Sequence, residues 1–348
     1  MLLCFLVENL VRLSQRIQPP AMTKHPFRSQ YASSARRTHL HFHWWTTLLT
    51  LLGLWWVFRD LLYTAWALAA LRLSWRAGAE EFVLSKAHDD FDITFIDYDK
   101  RQLSAAPHPD IVPPVFHHIA LGKHRWQNRW QETRQSCLDI HPGWEVHLWT
   151  DENAPDFVRE RFPELFGIWN NYPYHIDRAD ALRYMVLFEF GGVAIDMDLK
   201  CKRALGPLRR FDFVAPEAQP TGFSIAFMMA GRRNPFILDI LRNLMAYNRP
   251  WLGMPDPTIM LGAGCHFASF MHAAQMNRSS LKILPGPMHS LRGRATTPIF
   301  DHFGSSPRHS PEARLLVTLG YRSSLVLFVS VGVVLVLLLR RRVFLRRS

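Results

Sequence analysis

Two aspartates one residue apart, Asp196 and Asp198, close the run G-G-V-A-I-D-M-D at 191–198. Val193, Ala194 and Ile195 read as a short buried strand, opened by a glycine pair that ends the helix before it. Residues two apart on a strand point to one side, so both carboxylates are expected to face one site at the strand's end. Paired hard oxygens of this kind suit Mn²⁺ or Mg²⁺, above all where a substrate's phosphates complete the shell. An isolated D-x-D arises often by chance in a solvated turn, so the neighbours decide. The preceding helix, expected over 176–190, begins at Asp177 as a capping residue. It places Asp177, Asp180 and Tyr184 at helical spacing on one side with Arg183 beside them. On a free surface, Asp180 and Arg183 would be an ion pair of little consequence. Turned toward the strand end, they add charge to the same cleft as the aspartate pair.

Elements that must position these groups follow from pattern and punctuation. A strand over 112–121 contains His117 and His118. A helix over 126–138 follows, then the alternating strand W-E-V-H-L-W at 144–149, with Thr150 and Asp151 in the loop beyond it. A helix pair over 155–166 breaks at Pro163. Strand, helix, strand, helix, strand in this order predicts an α/β domain with a mostly parallel central sheet. Ligands of such sheets bind beyond the carboxyl ends of the strands, where Asp196 and Asp198 fall. Further strands are expected at 211–215, 223–230 and 281–284. Helices open at Asn234-Pro235 and Asp256-Pro257, the second broken by Gly262 and Gly264. Loops bearing His289, His302 and Ser305-Ser306 are expected to reach the cleft, with the two histidines on its acceptor side.

The net charge of +12 suggests a nucleic-acid binder until its distribution is examined. Residues 1–43 hold six Lys/Arg against one Glu, and residues 340–348 hold five Arg and no acid, so the tails supply +10. Both tails adjoin apolar segments, which is the pattern of membrane topology and not of a nucleic-acid face. A span within 44–71 and a second at 323–339 approach the ~20 residues a bilayer requires. The expected organisation is a basic cytosolic tail (1–43), a transmembrane segment (44–71), a stem (72–106), a catalytic domain (107–310), a transmembrane helix (323–339) and a basic cytosolic tail (340–348). The aspartates at 89–99 lack a glycine-bounded strand and read as solvated. Cys4, Cys137, Cys201 and Cys265 make no zinc spacing. A disulfide among the last three is open, and sequence does not choose the pair. Asn277-Arg278-Ser279 is a glycosylation sequon, which fits a lumenal domain.

The order I-D-R-A-D-A-L-R-Y followed by G-G-V-A-I-D-M-D resembles the core of the glycosyltransferases of family 32, the DxD sugar transferases. V-P-P-V-F-H-H-I at 112–119 and P-G-W-E-V-H-L-W-T-D at 142–151 are similar to that family's upstream motifs, in the right order. Ala194 stands where the family usually has Tyr, and G-S-S-P-R-H at 304–309 replaces a more usual G-S-S-W-H. The resemblance implies a GT-A-type nucleotide-sugar transferase domain, a Mn²⁺ or Mg²⁺ ion on Asp196 and Asp198, and transfer with retention of anomeric configuration. It also implies contacts of His117, Asp180, Arg183 and Asp196 with the nucleotide-sugar. A membrane span after the catalytic domain most resembles the fungal inositol-phosphoceramide mannosyltransferase catalytic subunits. That likeness implies GDP-mannose as donor, inositol phosphoceramide as lipid acceptor and the Golgi membrane as location, and it leaves room for a regulatory subunit. The alternatives are a hexosyltransferase extending glycoprotein glycans and a catalytically silent regulatory homologue.

Overall fold

Apolar runs such as Val193–Ile195 and Phe227–Ala230 cannot present a polar face to water, so they must lie inside a sheet covered on both sides. They do so in a computed structural model that describes residues 68–122, 128–251 and 254–304, with isolated residues before 68 and at 318. By its contacts the chain divides after Arg59, and the elements of the fold all belong to the unit from Asp60 onward.

The strands are β1 (Val115–Ala120), β2 (Glu145–Thr150), β3 (Gly192–Ile195), β4 (Leu199–Cys201), β5 (Phe213–Pro216), β6 (Phe227–Ala230), β7 (Leu281–Leu284), β8 (Ala295–Thr296) and β9 (Phe300–His302). The larger helices are α1 (Asn128–Ile140), α2 (Ala154–Arg161), α3 (Pro163–Asn170), α4 (His175–Phe190), α5 (Pro235–Tyr247), α6 (Pro255–Gly262) and α7 (Cys265–Ala273). Six strands form the main sheet in the order β2-β1-β3-β6-β5-β7, and β4-β9-β8 form a small second sheet. β1 runs parallel to both β2 and β3, and β5 parallel to β7. β6 is antiparallel to both its neighbours. The sheet is therefore mixed although mostly parallel. The link from β5 to β6 is too short for a helical crossover, so the chain turns back on itself.

Alternation along the central strands sends Ala194 and Met228 to one side of the sheet and Val193, Ile195, Phe227 and Met229 to the other. The first side packs against α4, whose residues 180–187 are all buried, as befits a helix covered all round. Pro163 opens α3 at its first position, as expected of a residue with no amide hydrogen to lose. Asn234 caps α5 by accepting from the Ile237 amide at 3.1 Å. Asp177, expected as the cap of α4, lies inside its first turn, and Tyr174 is the capping position without a side-chain bond.

The stretch 72–106 lies against this domain. Phe82, Phe91 and Phe95 are fully buried. Val83 bridges to Ile283 of β7, and Asp89 pairs with Lys282 at 2.5 Å. Leu68, Leu71 and Trp75, at the end of the first apolar segment, are buried as well. Among the described residues no helix is long and apolar enough to cross a membrane. The expected span at 323–339, both basic tails and most of 44–67 lie outside the described residues.

Candidate active site

Gly191 and Gly192 set the entry to the site. Both have positive φ, 68° and 98°. A Cβ at Gly191 would lie 2.7 Å from the Arg232 amide, and one at Gly192 would lie 2.4 Å from the Val115 carbonyl oxygen. Any other residue would push β3 away from β1. The strand then ends at Ile195. Asp196 donates its amide to Ala226 O at 2.8 Å, and Leu199 donates to Asp196 O at 3.2 Å. Asp196 and Asp198 thus occupy a tight turn between β3 and β4, where strand alternation no longer governs them.

Three contacts from α1 hold that turn. Thr133 Oγ1 donates to the Met197 carbonyl. Ser136 Oγ accepts from the Cys201 amide at 3.0 Å. Cys137 forms a disulfide with Cys201, leaving Cys265 as a free thiol. On the far side, Phe303 donates its amide to Asp198 O at 3.1 Å, and Leu199 pairs with His302 in the small sheet.

The charges interlock. Arg183 Nη2 donates to Asp196 Oδ1 at 2.6 Å and lies 3.7 Å from Asp180 Oδ1. His302 Nε2 faces Asp198 Oδ2 at 3.3 Å. Arg183, Asp180 and Asp198 are buried, while Asp196 keeps 38% of its side chain open. Burial pushes Asp180 well above the usual carboxylate range, against the pull of Arg183. Burial also raises Asp196, with Arg183 opposing and Asp198 assisting, and its open edge tempers the effect. Burial works against a charged His302, but its bond to Asp198 and the field of Asp196 outweigh that and raise its pKa.

Could this turn hold a divalent cation? Among the described residues no group of three or more His, Cys, Asp or Glu is arranged around a metal position. Two adjacent carboxylates, one of them open, fit the other arrangement, in which a hard cation takes one or two carboxylates and completes its shell with water and substrate phosphate. Arg183 and His302 keep both carboxylates oriented in readiness.

Several expected residues gather here and others do not. Asp180, Arg183, Asp196, Asp198 and His302 form one cluster. His302, expected on the acceptor side, touches the aspartate pair itself. His117 lies elsewhere: it is fully buried, its Nε2 donates to Gly191 O at 2.8 Å and its Nδ1 accepts from Trp149 Nε1 at 3.3 Å. Burial lowers its pKa to about 3. Both ring nitrogens are committed, so this neutral imidazole fastens the start of β3 and has none left for a nucleotide. His289 is also buried, bonded through Nε2 to Ile93 O at 2.7 Å and edge-on to Phe95. Asp151 stands at the carboxyl edge, accepting from the Gly122 amide at 2.8 Å and lying 3.8 Å from Arg178 of α4. Ser305 to His309 lie outside the described residues. Two features escaped sequence reasoning. One is the α1 clamp of Thr133, Ser136 and Cys137. The other is a polar cavity of about 500 Å³ beside His302, lined also by Arg129, Arg294, Thr296, Asp301 and Phe303.

Residues 127–215 match the family model described as a glycosyltransferase sugar-binding region containing a DXD motif. This part of the chain is similar to the DXD-containing region of glycosyltransferases. It spans α1, the clamp, α4 and the aspartate turn. The chain is similar to the mannosyl phosphorylinositol ceramide synthase SUR1 of Saccharomyces cerevisiae, 39% identical over 165 residues, which is 47% of this chain and 43% of that protein. It is similar to inositol phosphoceramide mannosyltransferase 1 of Schizosaccharomyces pombe, 29% identical over 252 residues, 71% of this chain and 77% of that one. Inositol phosphoceramide mannosyltransferase 3 of the same yeast is 35% identical over 167 residues, 47% of this chain and 45% of that one. The chain therefore spans under half the length of two of these three relatives.

Proposed function

We propose that this chain is a membrane-anchored mannosyltransferase of GT-A type that moves mannose from GDP-mannose onto inositol phosphoceramide. The observation that carries the reading is the Asp180–Arg183–Asp196/Asp198–His302 cluster, in a chain similar to relatives named for that reaction. In the transfer, the bond from the sugar's anomeric carbon to the diphosphate breaks and a bond to an acceptor hydroxyl forms. The hydroxyl proton departs, and GDP leaves with the electron pair. A Mn²⁺ or Mg²⁺ ion on Asp196 and Asp198 would neutralise the charge developing on that diphosphate. The chain's own part is positional. Arg183 holds Asp196 and adds fixed positive charge, His302 holds Asp198, and the disulfide-braced α1 keeps the turn from shifting. The reading keeps retention of configuration from the family resemblance and assigns no side chain as a covalent nucleophile.

The same reading puts the domain in the Golgi lumen, with 44–71 and 323–339 as spans and both basic tails cytosolic. A Cys137–Cys201 disulfide suits an oxidising compartment. Asn277 sits in an exposed turn, accepting from both the amide and the hydroxyl of Ser279. Spans at both ends would hold the cleft near a lipid head group and raise its effective concentration. The test is a donor screen on the purified full-length protein with Mn²⁺, across GDP- and UDP-sugars, with inositol phosphoceramide as acceptor. GDP-mannose turnover that yields mannosylated lipid supports the reading. Turnover of a different donor, or transfer to a glycoprotein glycan alone, overturns it.

A further inference from the structure

The aspartate turn has a charged neighbour that the proposed transfer leaves unused. The cavity beside His302 holds about 500 Å³, within the roughly 300–1,000 Å³ typical of ligand clefts. Its walls are Arg129 near the start of α1, Arg294 and Thr296 at the edge of β8, and Asp301, His302 and Phe303 at the end of β9. Backbone pairing fixes two of these walls, Ala295 opposite His302 and Thr296 opposite Asp301. Gly304, at a φ of 59°, has no space for a side chain. A Cβ there would stand 2.7 Å from Gly293 C and 3.0 Å from the Arg294 amide nitrogen. This close approach brings the Arg294 backbone against the end of the strand that carries His302. The Arg129 guanidinium lies over the ring of Phe303, 5.3 Å from its centre.

The charges of this cavity do not cancel. Asp301 is met by Lys202 at 3.5 Å, and His302 faces Asp198 at 3.3 Å. Arg129 and Arg294 form no ion pair with a carboxylate among the described residues. Two guanidiniums therefore remain, with the Thr296 hydroxyl as a further donor. Planar guanidiniums suit the oxygens of a phosphate, which they bind through paired N–H donors. An anion is the ligand this cavity selects, and two of the proposed substrates carry phosphate. The donor's diphosphate must reach the metal position at Asp196 and Asp198, neither of which lines this cavity, and Arg183 already adds positive charge there. The acceptor's phosphodiester needs a seat next to that position, because an inositol hydroxyl must meet the anomeric carbon. His302 belongs to both places, since it faces Asp198 and lines the cavity.

We infer that Arg129 and Arg294 seat the phosphodiester of the lipid acceptor in the cavity beside the aspartate turn, and so hold its inositol toward the sugar being transferred. This rests on the reading of the chain as an inositol-phosphoceramide mannosyltransferase. The two arginines bind the acceptor and contribute nothing to binding of the nucleotide.

The experiment measures steady-state transfer from GDP-mannose with Mn²⁺, in detergent micelles, by the full-length wild type, Arg129→Ala, Arg294→Ala and the double variant. Two acceptors are compared: inositol phosphoceramide and its phosphate methyl ester, in which the phosphate carries no charge. GDP binding with Mn²⁺ is measured alongside by calorimetry and serves as the control for folding. KM for inositol phosphoceramide should rise about 10-fold in each single variant, as expected for the loss of a hydrogen bond to a charged group. GDP affinity should stay within about twofold of wild type. By kcat/KM the wild type should prefer the charged lipid to its methyl ester by about 10-fold or more, and the double variant should lose that preference. An equal loss of GDP affinity would assign the arginines to the donor's diphosphate and overturn the inference. An unchanged KM for the acceptor, or a preference for the charged lipid that survives in the double variant, also overturns it. Each of these results leaves the mannosyltransferase reading standing. A wild type that binds GDP yet transfers no sugar to inositol phosphoceramide overturns that reading and the inference with it.

Discussion

Replacing Asp177 by asparagine removes one ionisable group from a place where ionisation is costly, and the cost should be visible as a pH-dependent stability difference. In the folded protein burial pushes this carboxyl up to about 7, from an ordinary value of 3.8. Between those pH values the folded state holds a proton that the unfolded state has released. Stability of the wild type therefore falls as pH rises through that window, and the loss is complete above pH 7. A difference of about three pKa units corresponds to roughly 4 kcal/mol. The positive end of α4 favours the charged form, so this is an upper bound. Asparagine has no such window. Its stability relative to wild type should rise by up to ~4 kcal/mol from pH 4 to pH 8, or roughly 10 °C in melting temperature for a domain of this size. Asp180, raised by the same cluster and by Asp177 itself, shifts the effect in the same direction. The assay is thermal unfolding of both proteins at unit pH steps from 4 to 8, without metal or nucleotide. Curves that stay parallel across this range would refute the reasoning, because they would show that Asp177 is no harder to ionise in the folded state than in the unfolded one.

Three further outcomes are expected. Asp196→Ala and Asp198→Ala should each abolish transfer, through loss of several kcal/mol of transition-state stabilisation, while leaving the fold intact by circular dichroism; near-normal turnover of either variant in EDTA would remove the metal from the account. The pair Cys137→Ser/Cys201→Ser should lose roughly 4 kcal/mol of stability, given the 64-residue separation that the bond closes; it should also lose activity at temperatures where it remains folded, because the same bond braces the aspartate turn, and unaltered activity there would separate the brace from the chemistry. In sealed membrane vesicles, protease should remove tags at both ends, and after the vesicles are opened with detergent glycosidase should shift the mass of the protein but not of Asn277→Gln; a protected C-terminal tag would overturn the two-span arrangement.

How much of this was legible without coordinates depends on the range of the interaction. Local signals held. Pro163 parts α2 from α3, Asn234-Pro235 opens α5, and the Gly191-Gly192 pair ends α4 as expected. The ordering of motifs also placed Asp180, Arg183, Asp196 and Asp198 in one cleft, since a helix packed on the strand that follows it leaves little freedom for the groups near their shared end. Strand alternation was the wrong reason for uniting the two aspartates. The strand stops before them, and backbone bonds to Ala226 and from Phe303 fix the turn instead.

Everything that depended on partners distant in sequence waited for the tertiary structure. Cys137 could have paired with Cys201 or Cys265, and only the packing of α1 beside β4 settled it. His117, His289 and His302 look alike as letters, yet two are neutral and spent on carbonyls while the third faces Asp198. The antiparallel placing of β6 and the burial of Phe82, Phe91 and Phe95 are likewise results of what the chain meets far from itself. Amino-acid order by itself determined which chemical groups this protein owns and the short-range geometry of helix, strand and turn, because backbone dihedrals respond to immediate neighbours. Only the tertiary structure decided which of those groups are paired, which are buried and which, like Asp177, are left without a partner, because desolvation and hydrogen bonding depend on atoms brought near by the fold and not by the sequence.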